Sequence, residues 1–94
     1  MDIRCLVSPN KERIDPKELR TRTERIDHCD ALMRQFTDEF RTRFPKYRII
    51  KTLGTMMSLL VEIPAGDFEY LGVAALESLD GATVERANNK SYPS

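Results

Sequence analysis

One histidine, two cysteines and four glycines are all that this 94-residue chain contains of the residues on which small reactive sites are most often built. It also lacks any run of about 18 apolar residues, the length that a membrane-spanning helix needs. Each shortage removes a class of function. Cys5 and Cys29 are too few for the disulfide framework of a small secreted domain, and a reducing cytosol would leave them as buried small hydrophobes. Gly54, Gly66, Gly72 and Gly81 stand alone, so there is no glycine-rich loop to cradle a phosphate. His28 lies in Asp27-His28-Cys29-Asp30, where neighbouring residues of a helix point about 100° apart. His28 and Cys29 therefore cannot pair as base and nucleophile, and the four residues do not form a tetrahedral metal site. No catalytic, cofactor or metal residue is assigned, and the chain is not expected to be an enzyme.

Net charge is also missing, since 15 basic side chains balance 15 acidic ones. The molecule as a whole has no field to draw nucleic acid or an acidic membrane. The charge is unevenly spread, however: residues 1 to 51 carry a net +4 and residues 52 to 94 a net −4. This split reads either as an uneven solvated surface or as a basic patch on the first helix that docks an acidic partner. The start, MDIRCLVSPNKER, has an acid at position 2 and only a brief apolar run, so it lacks the pattern of a secretory signal. A soluble, cytoplasmic protein is expected.

What is present is a series of clear periodicities. Leu59, Val61 and Ile63 alternate with Leu60 and Glu62 until Pro64 ends the run, the two-residue period of a strand. From Ala65, Phe68, Leu71, Ala75 and Leu79, with Leu76 beside them, recur at helical spacing until Asp80-Gly81, and Ala82 to Arg86 is short and extended. Earlier in the chain, Ile3, Cys5 and Val7 alternate with Arg4, Leu6 and Ser8 in a first strand, and Pro9 to Ile14 reads as its loop. Asp15-Pro16-Lys17-Glu18 has the form of a helix start, with Asp as cap and Glu three residues on. Leu19, Ile26, Cys29, Met33, Phe36, Phe40 and Phe44 then form one stripe, closed by Pro45. A helix over 15–44 would be about 43 Å long against about 23 Å for a seven-residue strand. Either its first turns project beyond the sheet or the segment breaks into two helices; the aromatic half, Phe36 to Phe44, is expected to pack. Lys46 to Leu53 reads as a strand with Tyr47, Ile49 and Lys51 on one face and Arg48 and Ile50 on the other.

The expected fold is α+β, a ferredoxin-like β-α-β-β-α-β sandwich: a four-stranded antiparallel sheet with two helices on one face, the first unusually long. Residues 1–88 form the single domain and 89–94 a flexible tail. If Ile3, Cys5 and Val7 face the helices, then Leu6, Ile50 and Leu60 lie on the open face among Arg4, Arg48, Ser58 and Glu62. That is either a docking patch rimmed by charge or a scatter of tolerated aliphatics. RNA-binding domains of this build stack bases on aromatics of the central strands, and IRCLV and SLLVEI have none, so no nucleic-acid partner is expected.

The stretch SLLVEIPAGDFEYLGVAALESLDGATVERANNKSYPS resembles the subtilase propeptides and their stand-alone relatives, the propeptide-like peptidase inhibitors. The likeness rests on the apolar strand, the leucine-bearing helix, Leu79-Asp80-Gly81, and the valine-glutamate strand before a polar tail. It implies a stand-alone inhibitor or folding partner of a subtilisin-like serine protease, bound through the open sheet face with the tail lying in the substrate cleft. Protein-binding residues would then be Leu6, Ile50 and Leu60 on the face and Glu85 beside helix ends of the protease. The tail, Lys90, Ser91, Tyr92, Pro93 and Ser94, would add as an extended strand, with Tyr92 its only large anchor. Arg86 stands where the family often has another acid. The alternative is an adaptor or self-associating domain, for which a homodimer is the usual form.

Overall fold

Backbone pairing organises the molecule around two inner strands. The computed structural model describes residues 2–15 and 20–87. Strand β1 (Asp2–Ser8) runs antiparallel to β3 (Ser58–Pro64) on one side and to β4 (Thr83–Arg86) on the other, while β2 (Arg48–Leu53) pairs antiparallel with the far edge of β3. The four-stranded sheet has the order β2-β3-β1-β4, so β1 and β3 are central and the shorter β2 and β4 form the edges. The architecture is α+β.

The helices are α1 (Lys11–Ile14), α2 (Arg22–Arg43) and α3 (Phe68–Ser78). The alternating period of the central strands decides where α2 and α3 go. Cys5 and Val7 of β1 and Leu59, Val61 and Ile63 of β3 form one core with Met33, Phe36 and Phe40 of α2 and Leu71 and Ala75 of α3. Phe40 and Phe44 meet at a tilted 5.1 Å, and Tyr47 stacks on Phe44 at 5.7 Å, which closes the core where α2 turns into β2. Such aromatic pairs add to simple area burial.

The first helical segment starts differently from what Asp15-Pro16-Lys17-Glu18 suggests. Asp15 ends the short helix α1, its backbone N–H donating to the Lys11 carbonyl at 3.1 Å. That helix occupies what reads in sequence as a loop, and Asn10 caps it by accepting from the Glu12 amide at 3.0 Å. Helix α2 begins at Arg22, where the Thr21 hydroxyl accepts from the Glu24 amide at 3.1 Å. Thr and Asp are both competent caps, and Pro16, Lys17 and Glu18 of the expected start lie outside the described residues. At 22 residues, α2 is about 33 Å long and still outruns the strands. Its second half, with Leu32, Met33, Phe36 and Phe40 buried, lies on the sheet, while Ile26 near its start is exposed.

A second difference lies in β2. The register with β3 shifts between Ile49 and Lys51, so Ile50 is an extra residue and Lys51, not Ile50, pairs with Leu60. A bulge of this kind resets the alternation beyond it. Lys51 therefore leaves the side occupied by Ile49, Thr52 pairs with Leu59 on the helix side, and Leu53 pairs with Ser58 on the opposite side. No helix among the described residues is long and apolar enough to cross a membrane.

Candidate functional site

The sheet face without helices is built from cross-strand pairs of β1 and β3. Arg4 sits opposite Glu62 and Leu6 opposite Leu60. The Arg4 guanidinium approaches the Glu62 carboxylate at 3.7 Å. Ser8 and Ser58 meet hydroxyl to hydroxyl at 2.6 Å. Because the Ser58 hydroxyl donates to the Met56 carbonyl at 3.0 Å, its own oxygen is left to accept from Ser8. Side strands complete the face: Arg48 lies opposite Glu62, Lys51 opposite Leu60, and Glu85 of β4 opposite Leu6.

Leu6, Ile50 and Leu60 are thus brought together, and Leu53 and Ala87 join them in one apolar cluster. Their exposure changes what the face offers. Leu6 is only 7% exposed, Leu60 8% and Leu53 fully buried. This is a minor core more than an apolar patch, rimmed by exposed Arg4, Arg48, Lys51 and Glu85 and half-buried Glu62. Leu53 was illegible in the sequence as a member of this group, because plain alternation puts it with Ile49.

Glu85 is exposed on edge strand β4. Beyond Arg86 the chain stays paired, as the Ala87 amide donates to the Arg4 carbonyl at 2.9 Å. The expected tail residues Lys90, Ser91, Tyr92, Pro93 and Ser94 lie outside the described residues.

The His28–Cys29 segment has a structural part to play. His28 Nε2 hydrogen-bonds the Arg13 carbonyl, and the Cys29 thiol points at the Ile14 carbonyl from 4.0 Å. Both side chains are half-buried and fasten the end of α1 to α2. Among the described residues, no three His, Cys, Asp or Glu side chains are grouped to hold a metal. Elsewhere, Tyr47 donates to Asp67 Oδ2 at 3.1 Å, and its hydroxyl is pushed up to about 12 by burial, by that hydrogen bond and by the Asp67 charge. The Cys5 thiol, inside the main core, is pushed up to about 11 by burial alone. Both groups are therefore protonated at neutral pH, the wrong state for a nucleophile or base.

A third surface was missed in the sequence. Tyr70, Val73 and Leu76 of α3 are 68%, 56% and 54% exposed. The apolar spacing of α3 sets Leu76 beside the packing residues Leu71, Ala75 and Leu79, but Leu76 is exposed where they are buried. The signal was there, since residues three apart share a helix face and Tyr70, Val73 and Leu76 continue one another. A helix apolar on two sides reads as one broad stripe until its neighbours are known.

No family model, curated protein or solved structure matches this chain.

Proposed function

We propose that the chain is a protein-binding domain of ferredoxin-like build that performs no catalysis, and that in the cytoplasm it inhibits, or assists the folding of, a subtilisin-like serine protease. The strand order, read as β4-β1-β3-β2 with α2 and α3 packed on one side, supports the ferredoxin-like reading. The observation that carries the binding mode is the Ala87–Arg4 hydrogen bond. It holds the chain extended past the last residue of β4, beside an exposed Glu85. A following segment launched in this way suits strand addition, in which backbone hydrogen bonds give affinity and alternate side chains fill subsites. The charged rim of the helix-free face would then set orientation more than affinity, since its leucines are already covered.

The test is titration of a subtilisin-like protease with the full chain and with a version ending at Asn88. Inhibition by the full chain alone is the expected result, and equal, negligible inhibition by both removes the reading. A second reading, a self-associating or adaptor domain, is favoured by a different observation: the apolar residues that α3 leaves at the surface.

A further inference from the structure

The two edges of the sheet are not alike. β2 is broken by its bulge and carries Lys51 at the break. β4 pairs with β1 in unbroken register, from Thr83 opposite Ser8 to Arg86 opposite Cys5, and has no bulge, proline or lysine to close it to another strand. The hydrogen bond from the Ala87 amide to the Arg4 carbonyl fixes the phase of this pairing. In an antiparallel ladder, residues that exchange hydrogen bonds with the neighbouring strand alternate with residues that do not, so Ala87, Glu85 and Thr83 direct theirs to β1. Val84 and Arg86 direct their N–H and carbonyl groups the other way, out of the sheet, where no strand among the described residues meets them.

We propose that a second copy of this chain adds to this edge, β4 antiparallel to β4 about a two-fold axis at Val84, so that the two sheets run on as one. The strand is complementary to itself in this register. Val84 opposite Val84 of the other copy exchanges two hydrogen bonds on the axis, Thr83 stands opposite Glu85, and Arg86 opposite Ala82. The Thr83 hydroxyl can donate to the facing carboxylate, and Glu85 and its copy are kept to a diagonal of about 7–8 Å. The next registers that preserve the outward hydrogen bonds set Glu85 against Glu85 and then Arg86 against Arg86, and like charges directly opposite destabilise a pair. Displacement the other way runs the strand against Asp80 and Gly81, whose φ angles of 52° and 82° are not those of a strand. The same surface serves both copies, so association closes at the dimer. With one short strand from each copy, the contact belongs to the weak, transient class. This inference rests on the self-association reading, for which it supplies the contact, and is independent of protease binding.

The experiment is sedimentation equilibrium of the full chain, of Val84→Pro and of Thr83→Arg, with circular dichroism to check that each variant is folded. Proline at 84 removes an N–H that points away from β1, so it takes nothing from the β1 ladder. Arginine at 83 faces Glu85 of the other copy in the proposed register, but Ala87 in the register that sets Glu85 against Glu85. Wild type is expected to form dimers and nothing larger at concentrations up to about 1 mM. Val84→Pro should raise the dissociation constant tenfold or more. Thr83→Arg should lower it about two- to tenfold at about 0.05 M salt, an advantage that fades at about 0.5 M. Val84→Pro dimerising as well as wild type overturns the proposal and leaves self-association standing through another surface. Thr83→Arg without any tightening also overturns it, and decides alone if Val84→Pro does not fold. A wild-type chain that is monomeric throughout overturns both this geometry and the self-association reading.

Discussion

Arg13 grips Glu39 with both terminal nitrogens of its guanidinium, at 3.2 and 3.3 Å, across 26 residues of chain. The pair joins α1 to the C-terminal part of α2, and both side chains are partly shielded from solvent. Two-pronged arginine–carboxylate pairs hold geometry better than single contacts, although exposure limits their energy. A double-mutant cycle on Arg13→Ala and Glu39→Ala is expected to give a coupling of about 0.5–1 kcal/mol. Amide exchange over α1 should quicken in either single variant more than exchange in the sheet does. A coupling of zero with unchanged exchange would show that the pair does not fasten the segment.

Gly81 has φ +82°, and a Cβ there would sit 2.6 Å from Asn10 Nδ2. Asn10 has other work to do, donating to the Asp80 carbonyl at 3.1 Å and capping α1. Gly81→Ala therefore combines backbone strain with displacement of a cap, at a cost of about 1–3 kcal/mol. In the Asn10→Ala background the same change should cost less, because the clash is gone. Denaturant midpoints of the four proteins decide it; strict additivity would mean that the two positions do not interact.

Leu53→Ala should cost about 2–5 kcal/mol, as expected for a fully buried leucine. Lys51→Ala should cost less than about 0.5 kcal/mol, being an exposed residue opposite Leu60. Chemical denaturation measures both. Equal effects would place the bulge elsewhere in β2.

Burial holds Cys5 protonated to about 11, above its ordinary 9.0. A raised pKa for an acid means that the unfolded chain loses its proton first. The contribution to stability is whole below about pH 9 and drains away as pH climbs towards 11. Wild type is expected to lose more stability than Cys5→Ala between about pH 8 and about pH 10.5, read as the change in denaturation midpoint of each. In native protein an alkylating reagent should modify half-buried Cys29 well before Cys5. Labelling of Cys5 at the rate of Cys29 would contradict its burial.

The parts of this fold that can be read from the chain are those where one physical rule acts alone. Cys5 and Val7, or Leu59, Val61 and Ile63, keep one side of their strands wholly apolar while the other side mixes Leu6 and Leu60 with Arg4, Ser8 and Glu62, so the inward side of the central strands follows from period. The aromatic half of α2 is legible for the same reason. Where two rules compete, reading fails. Asp15 and Thr21 both suit a helix cap, and Asp15 instead ends α1, which is tied to α2 through Arg13, His28 and Cys29, contacts that no local pattern announces. Leu76 could join either side of a doubly apolar helix. The bulge at Ile50 has no glycine to mark it, so the step that moves Leu53 across the sheet left no trace in residue type. Of the candidate site, Leu6, Ile50 and Leu60 were found together as expected, but pairwise alternation carries no information on how deeply neighbours cover them.

That bulge has a further bearing on how the protein behaves in a crowded solution. β2 is an edge strand, and a straight edge presents a regular row of free amides and carbonyls on which another chain can grow a strand. Here the row is broken in its middle, with a lysine placed at the break and an arginine, Arg48, at its start. An incoming strand would lose register after two residues and meet positive charge as it did so. The irregularity that hides Leu53 thus also guards this edge against aggregation into stacked sheets.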